Sequence, residues 1–191
     1  MIKTTAILIE ELSAYKAPAN RLARLVKYGT YIPVIKGLYE TDKTTPGYLL
    51  AGSIYGPSYL SFDFALSYYG LIPEAVYAFT SATFEKKKAK KYETPFGRFL
   101  YRDVPNSAYP FGVKIVREGS YSYQIATPEK ALCDKLYTVP PIRNKKDLSD
   151  LLFEDLRIDE DRFAELNRDD MIELSDLYHC TNTKILGKLL R

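Results

Sequence analysis

Asp63 and the later Glu85-Lys86-Lys87 are the residues whose types and order could carry a reaction. An acid followed downstream by acid-x-Lys is the pattern of metal-dependent nucleases. There the carboxylates hold Mg²⁺ and the lysine steadies the attacking water. Two features weaken that reading. Acid-x-Lys arises by chance in any lysine-rich run, and FEKKKAKK at 84–91 is one. The spacing also puts Asp63 on a helix, whereas such an acid ordinarily ends a strand. Glu129 and Asp134 fall on one predicted helix but share no face well, and they read as a cap and as a surface or helix-end charge.

The remaining reactive types are scarce. The chain has one histidine, His179, and two cysteines, Cys133 and Cys180. Neither cysteine has a neighbour at metal-ligand spacing, so both read as reduced thiols and a zinc site lacks ligands. A single histidine far from any glycine elbow leaves no Ser-His-Asp or Cys-His nucleophile system. No glycine loop that could cradle a phosphate is present. The expectation is a protein without enzymatic activity, catalytic residues, metal or cofactor.

Charge points to a different class. Residues 144–191 carry 8 basic and 12 acidic side chains, and residues 1–143 carry 19 and 12. A basic body with an acidic tail suits a front end that meets a polyanion. The chain of 191 residues is 46% apolar, enough for a real core. No run of ~20 apolar residues could span a bilayer. MIKTTAILIEEL lacks a signal-peptide cleavage pattern, so the cytoplasm is the expected location, with no membrane partner.

The elements follow from periodicity and breakers. TAILIEELSA at 5–14 reads as a short helix. Pro18 opens a second one, Pro18 to Tyr28, with Leu22, Leu25 and Val26 on one face and Arg21, Arg24 and Lys27 on another, stopped by Gly29. TYIPVIKGLYET then reads as a small hairpin turning at Lys36-Gly37. Helix, turn, basic helix and hairpin form the layout of a winged helix-turn-helix, whose second helix enters the major groove. Lys16, Arg21, Arg24, Lys27 and Lys36 lie in 16–36 with no acid among them, so they are the candidate DNA contacts. A solvated basic helix of a small helical subdomain fits the same pattern. The Thr/Pro/Gly stretch near 41–47 marks a boundary between a subdomain over 1–45 and a domain over 46–191.

YGPSYLSFDFALSYYGLIPE at 55–74 is dense in aromatics. Phe62, Ala65, Leu66 and Tyr69 fall at i, i+3, i+4, i+7, with Ser61 at the N-cap position and Gly70 at the stop. No cation lies between Lys43 and Lys86, so a buried helix fits better than a base-stacking or lipid-facing one. Strands are expected around 74–80, around Phe99 and Tyr101, and in a hairpin about Glu118-Gly119. A helix follows Thr127-Pro128, TVPPIRN reads as a hinge or linker, and an acidic helical tail covers 144–191. The fold class expected is α+β: a small winged helix-turn-helix, then a mixed α/β domain with a short antiparallel sheet and C-terminal helices.

PSYLSFDFALSYYGL and TPEKALCDKLY, with KYGTYIPVIKGLYET, TSAT, YETPFGRFLYRDVP and FEDLRID, resemble the AbiEi antitoxin family of abortive-infection, type IV toxin–antitoxin systems. The resemblance covers nearly the whole chain. It implies an N-terminal winged helix that binds inverted repeats in the operon's own promoter and represses it. It also implies a C-terminal domain that counteracts a nucleotidyltransferase toxin in phage defence, without a stable complex. Carried over by position, the recognition helix is Pro18 to Tyr28, with Lys36 in the wing. One departure stands out: two helices precede the hairpin, one fewer than such a fold ordinarily carries. A protein-interaction module with a vestigial winged helix is therefore the alternative, ahead of a metal-dependent nuclease.

Overall fold

Two sheets organise the chain, which a computed structural model describes over residues 1–191. The first is small. It comprises β1 (Lys3–Thr4), β2 (Ile32–Ile35) and β3 (Leu38–Glu40) in the order β1-β3-β2, all antiparallel. Between β1 and β2 come α1 (Thr5–Glu11) and α2 (Pro18–Lys27). Thr4 caps α1 by accepting a hydrogen bond from the Ile7 N–H. The helix stops at Glu11, short of the expected 14, and β1 is a two-residue strand too brief to show in the sequence.

Alternation along the small sheet divides its faces. Tyr39 turns toward a cluster of Leu8, Leu12 and Leu22 under the two helices. Val34 and Leu38 turn the other way, into the core of the larger body. Glu40 pins the junction. It is fully buried, accepts from the Tyr121 hydroxyl at 2.7 Å, and pairs with the Met1 ammonium. Burial opposes its ionisation, but the hydrogen bonds from the amino terminus, Tyr121 and the 41–42 backbone outweigh burial and hold its carboxyl below the usual range.

The second sheet has six strands: β4 (Tyr59–Leu60), β5 (Ala78–Thr83), β6 (Lys90–Thr94), β7 (Gly97–Asp103), β8 (Val113–Glu118) and β9 (Tyr121–Ala126). Their order is β6-β7-β5-β4-β9-β8. This corrects the expected short antiparallel sheet, because β5 pairs with β7 in parallel and β4 with β9 in parallel. The reason lies in side chains. β7 carries Phe99 and Tyr101, both fully buried, and belongs inside the sheet. β6 begins with exposed Lys90 and Lys91 and belongs at an edge, where lysines discourage further pairing. Folding β6 back outside β7 leaves β7 beside β5, and that pair runs parallel.

Helices cover this sheet. On one face, α4 (Phe62–Tyr68) meets Thr80, which donates to the Ser61 carbonyl and accepts from the Phe64 N–H. On the other, Tyr101 donates to the Ala51 carbonyl at the start of α3 (Ala51–Ile54). The aromatic stretch forms the helix its spacing predicts, with Phe62, Ala65 and Leu66 in the core, but its last turn reaches the surface: Tyr69 is half-buried and Tyr68 exposed. Gly70, at φ +70°, lets the Leu71 N–H reach the Leu66 carbonyl at 2.8 Å and close the helix. Then come α5 (Pro128–Thr138), α6 (Lys145–Asp150), α7 (Glu160–Ala164), α8 (Arg168–Leu177) and α9 (Thr181–Leu190). Helices α8 and α9 pack on α5. The 139–144 segment is no free hinge: the Asn182 amide donates to the carbonyls of Leu136, Val139 and Pro140 and accepts from the Ile142 N–H.

Candidate nucleic-acid interface

Helix α2 is built by its ends and one apolar face. Pro18 occupies its first turn, where a missing N–H costs nothing. At the other end Gly29, at φ +75°, donates to the Val26 carbonyl at 3.0 Å, and Thr30 donates to the Leu25 carbonyl at 2.9 Å. This double closure satisfies carbonyls that the helix leaves open. Leu22 is buried, with Leu25 and Val26 half-buried against the same cluster.

The outward face carries Asn20, Ala23, Arg24 and Lys27, at i, i+3, i+4, i+7, all exposed. Expectation placed Arg21 beside Arg24 and Lys27. Its position instead turns it to the flank, where its guanidinium carbon lies 5.0 Å from the centre of the Tyr15 ring. Its Nε is buried with no hydrogen-bond partner. Lys16 is exposed in the turn before α2, and Lys36 is exposed at the hairpin turn, next to Gly37, whose carbonyl accepts from Thr5 at the start of α1. None of Lys16, Arg21, Arg24, Lys27 or Lys36 pairs with an acid. Lys3, in the same unit, does: it holds Glu11 at 2.7 Å. Tyr28, 77% exposed, extends the outward surface past Lys27.

The nuclease-like residues have other partners. Asp63 lies in the first turn of α4 and pairs with Lys135 at 2.6 Å. Glu85 accepts from the Asn106 amide, the Lys86 ammonium donates to the Gly56 carbonyl at 3.2 Å, and the Lys87 N–H donates to Asp103 at 2.6 Å. No group of three or more His, Cys, Asp or Glu side chains is placed to hold a metal ion. Both cysteines are free thiols, and burial pushes that of Cys133 far up.

Sequence reasoning missed a buried polar cluster. Asp134, expected at the surface or a helix end, is fully buried with Lys130 on the inward side of α5. Their charges lie 3.3 Å apart. Asp134 accepts from Tyr59 at 3.0 Å, Ser61 at 2.6 Å and Tyr178 at 2.5 Å. Lys130 donates to the Ala108 carbonyl at 2.8 Å and to the Tyr178 oxygen at 2.5 Å. Ser61 stands at the N-cap position of α4 as expected, but its hydroxyl serves Asp134 rather than the helix. Burial pushes the Lys130 ammonium below the ordinary lysine value against the pull of Asp134. Burial, reinforced by the Asp134 charge, lifts the Tyr59 and Tyr178 phenols well above theirs.

No family model matches this chain, and no curated protein matches it. No helix is long and apolar enough to cross a membrane.

Other phenols shift the same way, which gives a pH prediction. Burial, with a hydrogen bond to Glu118 for Tyr48 and to Glu40 for Tyr121, pushes Tyr48, Tyr69, Tyr109 and Tyr121 up to about 12. An unfolded tyrosine ionises near 10.0, so between that value and about 12 the folded state holds more protons than the unfolded one. Stability therefore falls as pH rises through that window. Lys130 acts with the opposite sign, because its lowered value makes the unfolded state the better proton binder below 10.5. One lysine is outnumbered by these phenols. The urea midpoint should drop clearly from about pH 9 to about pH 11. A midpoint unchanged over that interval would show that the phenols are not shielded.

Proposed function

We propose that the chain is an antitoxin-like transcriptional autoregulator of the AbiEi type. Its N-terminal unit acts as a winged helix-turn-helix on promoter DNA, and its larger domain counteracts a nucleotidyltransferase toxin. One observation carries the DNA half: α2 turns Asn20, Arg24 and Lys27 outward on a helix whose opposite face is held in a core, and its cations are unpaired. Arginine pairs in fork geometry with guanine edges, asparagine with adenine, and lysine with phosphate. The β1-β3-β2 order, with the hairpin following α2, fits a wing. The antitoxin half rests on the resemblance, whose two most specific motifs meet in the core. Tyr59 and Ser61 from the first share Asp134 of the second.

The test couples both roles in cells. The neighbouring reading frame should encode a nucleotidyltransferase, and co-expression of this chain should restore growth against it. A variant combining Arg24→Ala and Lys27→Ala should keep that rescue and lose repression of a reporter driven by the chain's own upstream DNA. A neighbouring frame of any other kind removes the antitoxin half. Repression by the variant at the wild-type level removes the DNA half.

The burial of Val34 against the larger body favours one second reading, a protein-binding element in which the small sheet serves only as a bracket. It predicts no DNA complex at physiological salt.

A further inference from the structure

A cleft of about 140 Å³ opens between the start of α4 and the end of α5, over the face of β5 and β7. Phe62 and Asp63 of α4 and Lys135 of α5 line its two helical walls, and Leu100 and Arg102 line it from β7. The volume suits a small organic ion rather than a drug-sized ligand, which fills roughly 300–1,000 Å³. We infer that this cleft binds a small monocarboxylate with an apolar substituent. The inference is independent of the DNA-binding and antitoxin roles.

Charge selects the class. Arg102 lines the cleft, is exposed, and forms no ion pair or side-chain hydrogen bond, so its five N–H groups are free for a ligand. The Lys135 ammonium pairs with Asp63 at 2.6 Å, and the three donors of an ammonium leave it capacity for a second partner. Two cations and one carboxylate leave a single positive charge. A carboxylate fits the planar arginine fork and neutralises that charge. A phosphate dianion would bring its second charge against Asp63. Phe62 and Leu100 provide the apolar surface for the substituent.

The walls are held in place from behind. Phe62 adopts φ +55°, a conformation that a bulky aromatic rarely takes and that clusters at binding sites. Ser61, the residue before it, donates to Asp134 at 2.6 Å. Asp134 in turn precedes Lys135. One buried carboxylate thus ties both walls together, and Thr80 fixes the Ser61 carbonyl at 2.6 Å. Supporting hydrogen bonds of this kind are what a preorganised site requires.

Amide ¹H–¹⁵N shifts of the full chain, titrated with sodium butyrate, test the inference. Saturable shifts should appear at Phe62, Asp63 and Lys135. Arg102→Gln, at an exposed position, should weaken binding by about tenfold or more with the melting temperature kept, as expected on losing a charged fork. Inorganic phosphate should bind more weakly than butyrate to the wild type. Asp63→Asn, which removes the like charge, should narrow that gap. N-acetylvaline separates the sources: tighter binding than butyrate assigns the carboxyl end of a peptide, and weaker binding assigns a free acid, both within the proposed class. The inference fails if butyrate gives no saturable shift, if Arg102→Gln binds equally well, or if phosphate binds the wild type as tightly as butyrate.

Discussion

Replacing Asp134 with alanine should destabilise the protein by about 3–5 kcal/mol, the usual loss when one partner of a buried pair is removed. The expected size follows from what is left behind. The Lys130 ammonium keeps its contacts with the Ala108 carbonyl and the Tyr178 oxygen but loses its only counter-ion. The hydroxyls of Tyr59, Ser61 and Tyr178 lose the acceptor they share. Each unsatisfied buried donor costs about 1–3 kcal/mol where water cannot replace the partner. Domains of this kind are stable by about 5–15 kcal/mol in all, so the variant should sit near the limit of folding. The check is a urea titration in which the midpoint falls and the slope is retained. Combining Lys130→Met with Asp134→Leu should cost less than Asp134→Ala alone, because no charge is stranded. A loss below about 1 kcal/mol for Asp134→Ala would mean that water reaches the cluster.

The second large effect concerns DNA. Removing Arg24 and Lys27 together should lower the dependence of log K on log salt by roughly 1, the share of Lys27 at about 0.9 for each phosphate-neutralising cation, and the loss of Arg24 from a base edge should reduce the preference for the upstream sequence. Affinity for the chain's own upstream duplex should fall with it. Both side chains are exposed and unpaired, so the double alanine variant should fold normally. Arg21→Ala should change the slope less, since Arg21 lies on the flank over Tyr15 with its Nε buried. Fluorescence anisotropy at several salt concentrations measures both. An unchanged slope in the double variant would take α2 off the DNA.

Much of this arrangement was legible in local patterns. The spacing of Phe62, Ala65 and Leu66 revealed the buried helix, and Pro18 and Gly29 marked the ends of α2, because these signals act within a turn or two of chain. What stayed hidden depends on contacts far apart in sequence. Lys130 and Asp134 stand at i, i+4, a spacing that on most helices is a solvent-exposed pair. Tyr59, Ser61 and Tyr178, 75, 73 and 44 residues from Asp134, make burial tolerable. Ser61 was visible as a cap position, yet its hydroxyl found a stronger partner across the core. The parallel pairing of β5 and β7 depends on which strand carries the lysines to the edge, a choice made by the whole sheet. For the candidate interface, the five cations were all legible by type. Their division between an outward face and a flank rests on how Leu22 docks, which sets the rotation of the helix.

Competition binding at physiological salt tests the central claim most directly. The full chain is titrated against its own upstream duplex and against an unrelated duplex of equal length. A sequence reader built on Asn20 and Arg24 predicts preference for the upstream duplex by about 10³-fold or more. Equal affinity for the two, or no complex with either, would contradict it.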